Sequence, residues 1–321
     1  MFFAAGLILV FLFSFPIGAS GQDFPNKPIT IYCGYAAGAS TDLTTRFLAN
    51  GAEKMLGVPV VVENKPGGAA TVCASLVASK KSDGYTLAVV DSGAISTTPL
   101  RQKVPYDPKK DFTVIMQYAR YCPGGVTVLS DFPAKTIDEF IAYAKAHPGL
   151  SYGSTGVNQP GHIGIELFAH CKGLKFKHIP YKGGSEAITA LMGKHTDFMQ
   201  GAGGHIPYVR QGVFRLLMVF AIDKRDPSFP DVPILRELGC DDIDTVAYVL
   251  LGPKGIPEGI VEKLNKTFKK VSEDPKFKDL LQKFTALYEY KDGAQVEKDL
   301  PAEGERFIRA LNILGMTLKK E

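Results

Sequence analysis

The sequence lacks the short motifs that mark several common enzyme classes. Its 321 residues contain no G-x-S-x-G elbow, no G-x-x-x-x-G-K-[ST] phosphate loop and no C-x-x-C or H-x-x-x-H metal pair. These absences argue against an α/β-hydrolase, a P-loop nucleotidase and a zinc centre. We therefore expect no enzyme activity, no cofactor and no metal ion. A hydrolase built on Ser40 or Ser154 is kept as an alternative.

Excess charge and cysteine are also scarce. The formal net charge is +4, and no basic stretch is interleaved with aromatic residues. This composition argues against nucleic acid as a partner. The odd number of cysteines leaves at least one thiol unpaired, and their mostly apolar neighbours favour buried structural positions. No pairing is assigned to Cys33, Cys73, Cys122, Cys171 and Cys240.

The first 21 residues contain no charged side chain. A run of apolar residues extends to Pro16, and small residues follow as far as Gly21. This order is typical of a secretory signal peptide. The apolar run is shorter than the ~20 residues that span a membrane, which argues against the alternative of an uncleaved anchor. We expect cleavage near Gly21 and a mature protein outside the cytoplasm.

Downstream of this segment, strand-like and helix-like runs alternate, as in an α/β protein with largely parallel sheets. The alternation runs twice, and a chain of about 300 residues suits two domains. A strand-like return segment at 245–251 predicts two crossings between lobes, near 121–126 and near 239–245. The C-terminal part, 260–321, is predicted to be mostly helical. The predicted lobes are 22–122 with 240–321 (lobe one) and 123–239 (lobe two).

Two loops rich in small and hydroxyl residues, 34–42 and 152–162, each lie between a strand-like run and a helix-like run. Free N–H groups and the positive dipole at a helix start form a ready anion site. Two such loops, far apart in the chain, suggest two lobes that face one ligand. A plain helix N-cap is the more common role of a serine at such a position. The candidate donors in the first loop are Gly38, Ala39, Ser40 and Thr41.

Three further positions adjoin the first loop. Tyr35 is a candidate wall of the pocket, although packing is the more common role of a tyrosine beside a strand. Ser92 and Gly93 end the third predicted strand, at the edge where α/β folds place their ligands. Asp42 lies in the first turn of the predicted helix and would repel an anion, so we expect it to be structural.

Six segments occur in the order typical of one family. They include 34–42 (Gly-Tyr-Ala-Ala-Gly-Ala-Ser-Thr-Asp) and 61–67 (Val-Val-Glu-Asn-Lys-Pro-Gly). The others are 82–87, 105–112, 178–183 and 229–233. Through these segments the chain resembles the substrate-binding proteins of tripartite tricarboxylate transporters, also called Bug proteins, over nearly its whole length after the leader.

The resemblance implies a two-lobed periplasmic binding protein of type II, a Venus flytrap with a two-stranded hinge. It implies a monomer that captures a small organic carboxylate, such as a dicarboxylate, tricarboxylate or aromatic acid, for a membrane transporter. A receptor that signals to a sensor kinase without transport is the alternative. By the same resemblance, lobe two contributes ligand contacts from Ser154, Thr155, Gln159, His162, Gln200 and Gly201.

Two departures from the family pattern affect the expected pocket. Ala36, Ala37 and Ala39 replace a Pro-Pro pair and a glycine, which makes the first loop less rigid. The segment 200–204, Gln-Gly-Ala-Gly-Gly, replaces Phe-Asp or similar residues of relatives. The smaller side chains predict a roomier pocket. The missing acid removes one partner for a ligand amino group.

Overall fold

The computed structural model describes residues 24–121, 124–181, 183–201, 204–220, 225–226, 228–240, 246–284 and 286–316. The predicted signal peptide, Cys122 and the segment 241–245 of the second crossing lie outside the described residues. Among the helices within these ranges, none is long and apolar enough to cross a membrane.

The predicted alternation of strands and helices is confirmed. The strands are β1 (Ile29–Cys33), β2 (Val60–Asn64), β3 (Thr86–Asp91), β4 (Phe112–Tyr121), β5 (Gly125–Leu129), β6 (Leu150–Ser154), β7 (Phe176–Pro180), β8 (Phe198–Met199), β9 (Phe214–Val219), β10 (Val246–Pro253) and β11 (Ala286–Asp292). The helices are α1 (Ser40–Leu56), α2 (Thr71–Ala78), α3 (Thr98–Arg101), α4 (Ile137–Ala146), α5 (Pro160–Lys172), α6 (Gly184–Met192), α7 (Ile206–Arg210), α8 (Glu258–Ser272), α9 (Pro275–Gln282) and α10 (Gly293–Ile313).

The strands form two sheets. Within the described residues, one sheet has six strands in the order β11-β4-β10-β3-β1-β2, and the other has five in the order β7-β6-β8-β5-β9. Strands β1, β2 and β3 are parallel, so their carboxyl ends meet at one edge. In the second sheet β6 is parallel to both β7 and β8. Each sheet therefore presents loops at such an edge, where ligands of α/β proteins bind.

Residues with strong local preferences set the helix boundaries. Gly57 ends α1 in the left-handed conformation, with φ of 73°, and its backbone N–H donates a hydrogen bond to the carbonyl of Glu53. Thr136 caps α4, because its side chain accepts a hydrogen bond from the amide of Glu139. Both boundaries were predicted from the sequence, since glycine and threonine have these roles for steric and hydrogen-bonding reasons.

The chain passes between the sheets at the first predicted crossing. Strand β4 ends at Tyr121 in the six-stranded sheet, and β5 begins at Gly125 in the other. Strand β10 returns to the first sheet and lies antiparallel between β3 and β4. The rings of Tyr121 and Tyr248, on β4 and β10, stack with centroids 4.8 Å apart. Two adjacent strands thus carry the connection, as expected of a two-stranded hinge.

Each sheet has its own apolar core. Leu48, Phe268 and Phe277 are buried in the core beside the six-stranded sheet, and Phe140 and Phe198 in the core of the other. The end of α10 does not pack with the sheet that precedes it in the chain. Its residues Phe307, Ala310 and Leu311 pack into the second core, although the helix follows β11 of the first sheet.

The prediction of a mostly helical C-terminal part is confirmed by α8, α9 and α10, but 286–292 form a strand, β11. This segment pairs antiparallel with the edge of β4. Ala286, Tyr288 and Tyr290 pack on the core, and Glu289 and Lys291 alternate with them. This period of two is the mark of a half-buried strand, and the flanking helical patterns obscured it.

The structure pairs two of the cysteines that the sequence left unassigned. A disulfide joins Cys171, near the end of α5, to Cys240, which precedes the return crossing. Cys33 and Cys73 are free and buried, in line with the expected structural positions.

Candidate functional site

The first loop ends in a helix start that has no side-chain cap. Ala39 occupies the N-cap position of α1, and its methyl group accepts no hydrogen bond. The first amides of a helix have no partner inside the helix, so they are directed at whatever lies in front of it. Ser40 is the first helical residue, not the cap, which corrects the interpretation of Ser40 as a plain N-cap.

Asp42 holds the first loop in place. Its carboxylate accepts hydrogen bonds from the amide of Gly38 at 2.9 Å and from Nδ2 of Asn64 at 2.7 Å. It also pairs with Arg46 at 3.0 Å. Burial favours the neutral acid, but these partners outweigh it and lower the pKa of Asp42. The residue therefore has the expected structural role, and it engages the Gly38 amide that was a candidate donor.

The hydroxyls of the first loop bond to the return strand β10. Oγ of Ser40 lies 3.0 Å from the phenol oxygen of Tyr248. Thr41 is 3% exposed, and hydrogen bonds from Ser40 and Thr41 partly offset the rise that burial imposes on the pKa of Tyr248. Sequence reasoning missed Tyr248, because nothing in a strand-like segment 208 residues downstream of Ser40 indicates this contact.

Asp91 and Ser92 organise the edge of the sheet beside the first loop. The phenol of Tyr35 donates a hydrogen bond to Asp91 Oδ2, and the amide of Ala94 donates to Oδ1 at 2.9 Å. Burial raises the pKa of Asp91, against the opposing effect of these donors. Oγ of Ser92 donates to Glu303 at 2.8 Å and accepts from the amide of Ala247 at 3.1 Å. Ser92 and its neighbour Gly93 are buried, so they support this edge from behind.

The second loop leads to another helix start without a side-chain cap. Gln159 is the N-cap residue of α5, with extended backbone and no cap hydrogen bond from its side chain. Pro160 follows and has no N–H, so the first available amides are those of Gly161 and His162. Like α1, α5 therefore begins after an extended N-cap residue whose side chain accepts no hydrogen bond.

Ser154 is a structural residue of the second loop. It is 1% exposed, its Oγ lies 2.6 Å from Nε2 of His178, and it accepts from the amide of Gly156 at 3.2 Å. A serine and histidine at this distance resemble half of a catalytic pair, but a nucleophile must reach its substrate. A side chain this deeply buried does not, which argues against the hydrolase alternative built on Ser154.

His162 lies behind the second loop and fixes its path. Nδ1 of His162 accepts a hydrogen bond from the amide of Asn158 at 3.1 Å, which leaves the ring proton on Nε2. Its ring stacks on His178 with centroids 4.1 Å apart. Burial, together with His178, lowers the pKa of His162 to about 4. The neutral ring thus anchors the loop, and Nε2 is directed towards Glu166, 4.0 Å away.

Gln200 joins the second loop to the end of β8. Its side chain accepts from the amide of Thr155 at 3.3 Å and donates to the carbonyl of Gly201 at 3.0 Å. The main-chain carbonyl of Gln200 accepts a hydrogen bond from the amide of Gly125 at 2.6 Å, next to the first crossing. Gly161 leaves room for this side chain, because a Cβ there would lie 2.2 Å from Gln200 Cδ.

Arg101 bridges the two groups of loops, and sequence reasoning missed it. Nη1 donates to the carbonyl of Asn158 at 2.7 Å, and Nη2 donates to Oγ1 of Thr98 at 2.7 Å. The guanidinium also lies over the ring of Phe307, 5.5 Å from its centroid. No motif surrounds Arg101 in the sequence, so its role depends on the tertiary structure alone.

The comparisons with known proteins agree with this architecture. A family model described as "Tripartite tricarboxylate transporter family receptor" matches residues 44–313. The chain is 42% identical over 293 residues to the "UPF0065 protein in gbd 5'region" of Cupriavidus necator, covering 91% of this chain and 89% of that one.

Three solved structures have the same fold. Rpa4515 of R. palustris with adipate is 26% identical, with a TM-score of 0.82 over 92% of this chain and 99% of its own. The periplasmic binding protein BugD is 27% identical, with a TM-score of 0.79 over 93% and 100%. MatC of Rhodopseudomonas palustris with bound malate is 27% identical, with a TM-score of 0.71 over 91% and 100%. The two-lobed binding-protein fold is therefore confirmed.

Proposed function

We propose that this chain, which belongs to the tripartite tricarboxylate transporter receptor family, captures a small organic carboxylate in the periplasm and delivers it to a membrane transporter. The ligand lies between the loop before α1 and the loop before α5. The related structures with adipate and with malate support a small carboxylic acid as the ligand class.

The observation that carries this proposal is the pair of helix starts without side-chain caps. Ala39 before α1 and Gln159 before α5 provide no cap hydrogen bond. Each helix start follows the carboxyl end of a parallel strand, β1 in one sheet and β6 in the other. A carboxylate accepts hydrogen bonds from such amides directly or through trapped waters, and the helix dipole favours its charge.

The predicted site residues divide into two groups under this proposal. Tyr35, Ala39, Ser40, Thr155 and Gln159 are partly exposed on the loops and face the ligand. Gly38 is exposed, but its amide is engaged by Asp42. The others are buried and position the loops from behind: Thr41, Ser92, Gly93, Ser154, His162, Gln200 and Gly201.

Ligand binding closes the two lobes. We place lobe one at 22–122 with 240–321 and lobe two at 123–239, with the end of α10 resting on lobe two. A ligand that contacts both loops does so only in the closed form, so it shifts the population towards closure. The protein acts as a monomer, and the closed form is the one that the transporter recognises.

A carboxylate placed at the cap positions tests this proposal. Ala39→Asp and Gln159→Asp each put an acidic side chain where it accepts from the free amides, in competition with the ligand. We expect both variants to keep or raise their melting temperature without ligand, and to lose at least about tenfold in affinity for adipate or malate by calorimetry.

The matched control is Met55→Asp, which adds the same charge at an exposed position about 24 Å from Ala39 along α1. This variant should bind as the wild type does. Unchanged affinity in both cap variants would exclude the helix starts as the anion site.

A further inference from the structure

The phenol of Tyr35 donates a hydrogen bond to the carboxylate of Asp91 at the edge of the six-stranded sheet. Tyr35 follows β1, and Asp91 is the last residue of β3, its parallel neighbour in the sheet. Both residues therefore lie at the same edge, next to the start of α1. The main chain of Tyr35 is also held in place, because its carbonyl accepts from Nδ2 of Asn64 at 2.9 Å.

The direction of this bond follows from the chemistry of the two groups. An ionised carboxylate only accepts hydrogen bonds, and a phenol has a single hydrogen to donate. Burial, with the nearby Asp91 charge, holds the pKa of Tyr35 well above its usual value, so the phenol keeps its proton. Once that proton is directed at Asp91, the phenol oxygen can only accept a hydrogen bond from a further partner.

The surroundings of Asp91 reinforce this polarity. Its Oδ1 is engaged by the Ala94 amide, and the phenol of Tyr121 donates a further hydrogen bond to the carboxylate. The Arg101 guanidinium partly balances the charge of Asp91. Glu303, held by Ser92, contributes a second carboxylate near Tyr121. Two carboxylates therefore lie at this edge of the sheet, in contrast to the amides at the two helix starts.

We propose that Tyr35 and Asp91 are specificity-determining residues, and that they select acids that carry a hydrogen-bond donor, a hydroxyl or ammonium group, in addition to the carboxylate. This inference rests on the proposed function. The acid that is missing from 200–204 in lobe two is replaced by Asp91 in lobe one, which acts through the phenol of Tyr35. A plain carboxylic acid leaves the phenol oxygen without a donor, so it binds more weakly.

Matched ligands test the proposal on the wild-type protein. Succinate, malate and aspartate share one carbon chain and differ in having no donor, a hydroxyl or an ammonium group. Calorimetry should show malate or aspartate bound about tenfold more tightly than succinate, as expected for one hydrogen bond to a buried acceptor. Equal or tighter binding of succinate would overturn the inference while leaving the carboxylate-binding function standing. Failure of all three acids and of longer or aromatic acids to bind would contradict the proposed function itself.

Two variants assign the selectivity to the named residues. Tyr35→Phe removes the acceptor, so the ratio of malate to succinate affinity should fall towards one. Asp91→Asn removes the charge, so aspartate should lose more affinity than malate. The control is Tyr85→Phe, which removes a phenol bonded to Asn26 at the surface and should keep the wild-type ratio. A ratio of malate to succinate affinity that is the same in Tyr35→Phe and in the wild type would contradict the proposal.

Discussion

The guanidinium of Arg101 donates a hydrogen bond of 2.7 Å to the main-chain oxygen of Asn158. Arg101 ends α3, which lies in the chain between β3 and β4 of the six-stranded sheet, whereas Asn158 belongs to the loop before α5 and follows β6 of the other sheet. Asn158 has a positive φ of 56°, and its amide is held by His162. One bond thus connects the two sides of the cleft at the loop that we assign to the ligand.

Arg101→Gln should weaken closure of the cleft. The variant loses a charge-assisted bond, and we expect a loss of about 1–2 kcal/mol in ligand binding because the open form gains population. Hydrogen exchange of the loop 154–159 should be faster in the ligand-free variant. The control is Arg225→Gln, whose ion pair with Glu237 lies on the surface of lobe two. Identical exchange in wild type and Arg101→Gln would show that the bond does not hold the loop.

Gly161→Ala should disturb the wall of the pocket. A methyl group at this position would lie 2.2 Å from Gln200, so Gln200 must move and release the Thr155 amide. We expect affinity for the carboxylate to fall by about tenfold or more, with a stability loss of about 1–3 kcal/mol from overpacking. Gly259→Ala, in α8 with open space around the new methyl group, is the control and should not alter binding.

Acid should destabilise the protein through two buried histidines. Burial lowers the pKa of both His162 and His205 to about 4, whereas a histidine of the unfolded chain has a pKa of about 6.5. Between these values the unfolded state binds protons that the folded state does not. The free energy of unfolding is therefore undiminished above about pH 6.5. It falls as the pH drops towards about 4, by up to about 1.4 kcal/mol per pH unit for each histidine.

Denaturant titrations at several pH values measure this slope. His205→Leu should flatten it, because both ring nitrogens of His205 lack a hydrogen-bond partner within the described residues and no bond is lost. His147→Leu, which changes an exposed histidine, should keep the wild-type slope. A slope that is the same in all three proteins would rule out His205 as a source of the acid sensitivity.

Removal of the disulfide should cost stability and leave the ligand site intact. Cys171 and Cys240 are 69 residues apart in sequence, so their bond restricts a large loop of the unfolded chain. We expect the Cys171→Ser/Cys240→Ser double variant to lose about 2–4 kcal/mol of unfolding free energy and to bind ligand when folded. A reductant should lower the melting temperature of the wild type and not that of the double variant. A reductant effect of equal size on both would point to another cause.

The sequence predicted what depends on local patterns. The two helix starts after strands, the cap of α4 at Thr136 and the left-handed Gly57 follow from hydrophobic periodicity and residue preferences over a few positions. The two-lobed arrangement followed from the repeated alternation and from the resemblance to a family. These features are local, or are repeated along the chain, so a single sequence contains their signal.

The contacts across the fold were not predictable in the same way. Arg101 meets Asn158, and Ser40 meets Tyr248, only because two sheets and a return strand bring distant segments together. Asp91 was within reach of sequence reasoning, since it ends the same strand that placed Ser92 and Gly93 at the site. Its role was missed because a carboxylate at an anion site has no evident purpose until its partner, Tyr35, is seen.

The most direct test of the account is a thermal shift of the chain from Gln22 onward against a panel of carboxylates, amino acids, sugars and cationic compounds. Ligands that bind the folded state raise the melting temperature by mass action. We expect a clear shift with one class of small organic acid, and the loss of that shift in Ala39→Asp. A shift with sugars or cationic compounds and none with any acid would contradict the central claim that the two helix starts hold a carboxylate.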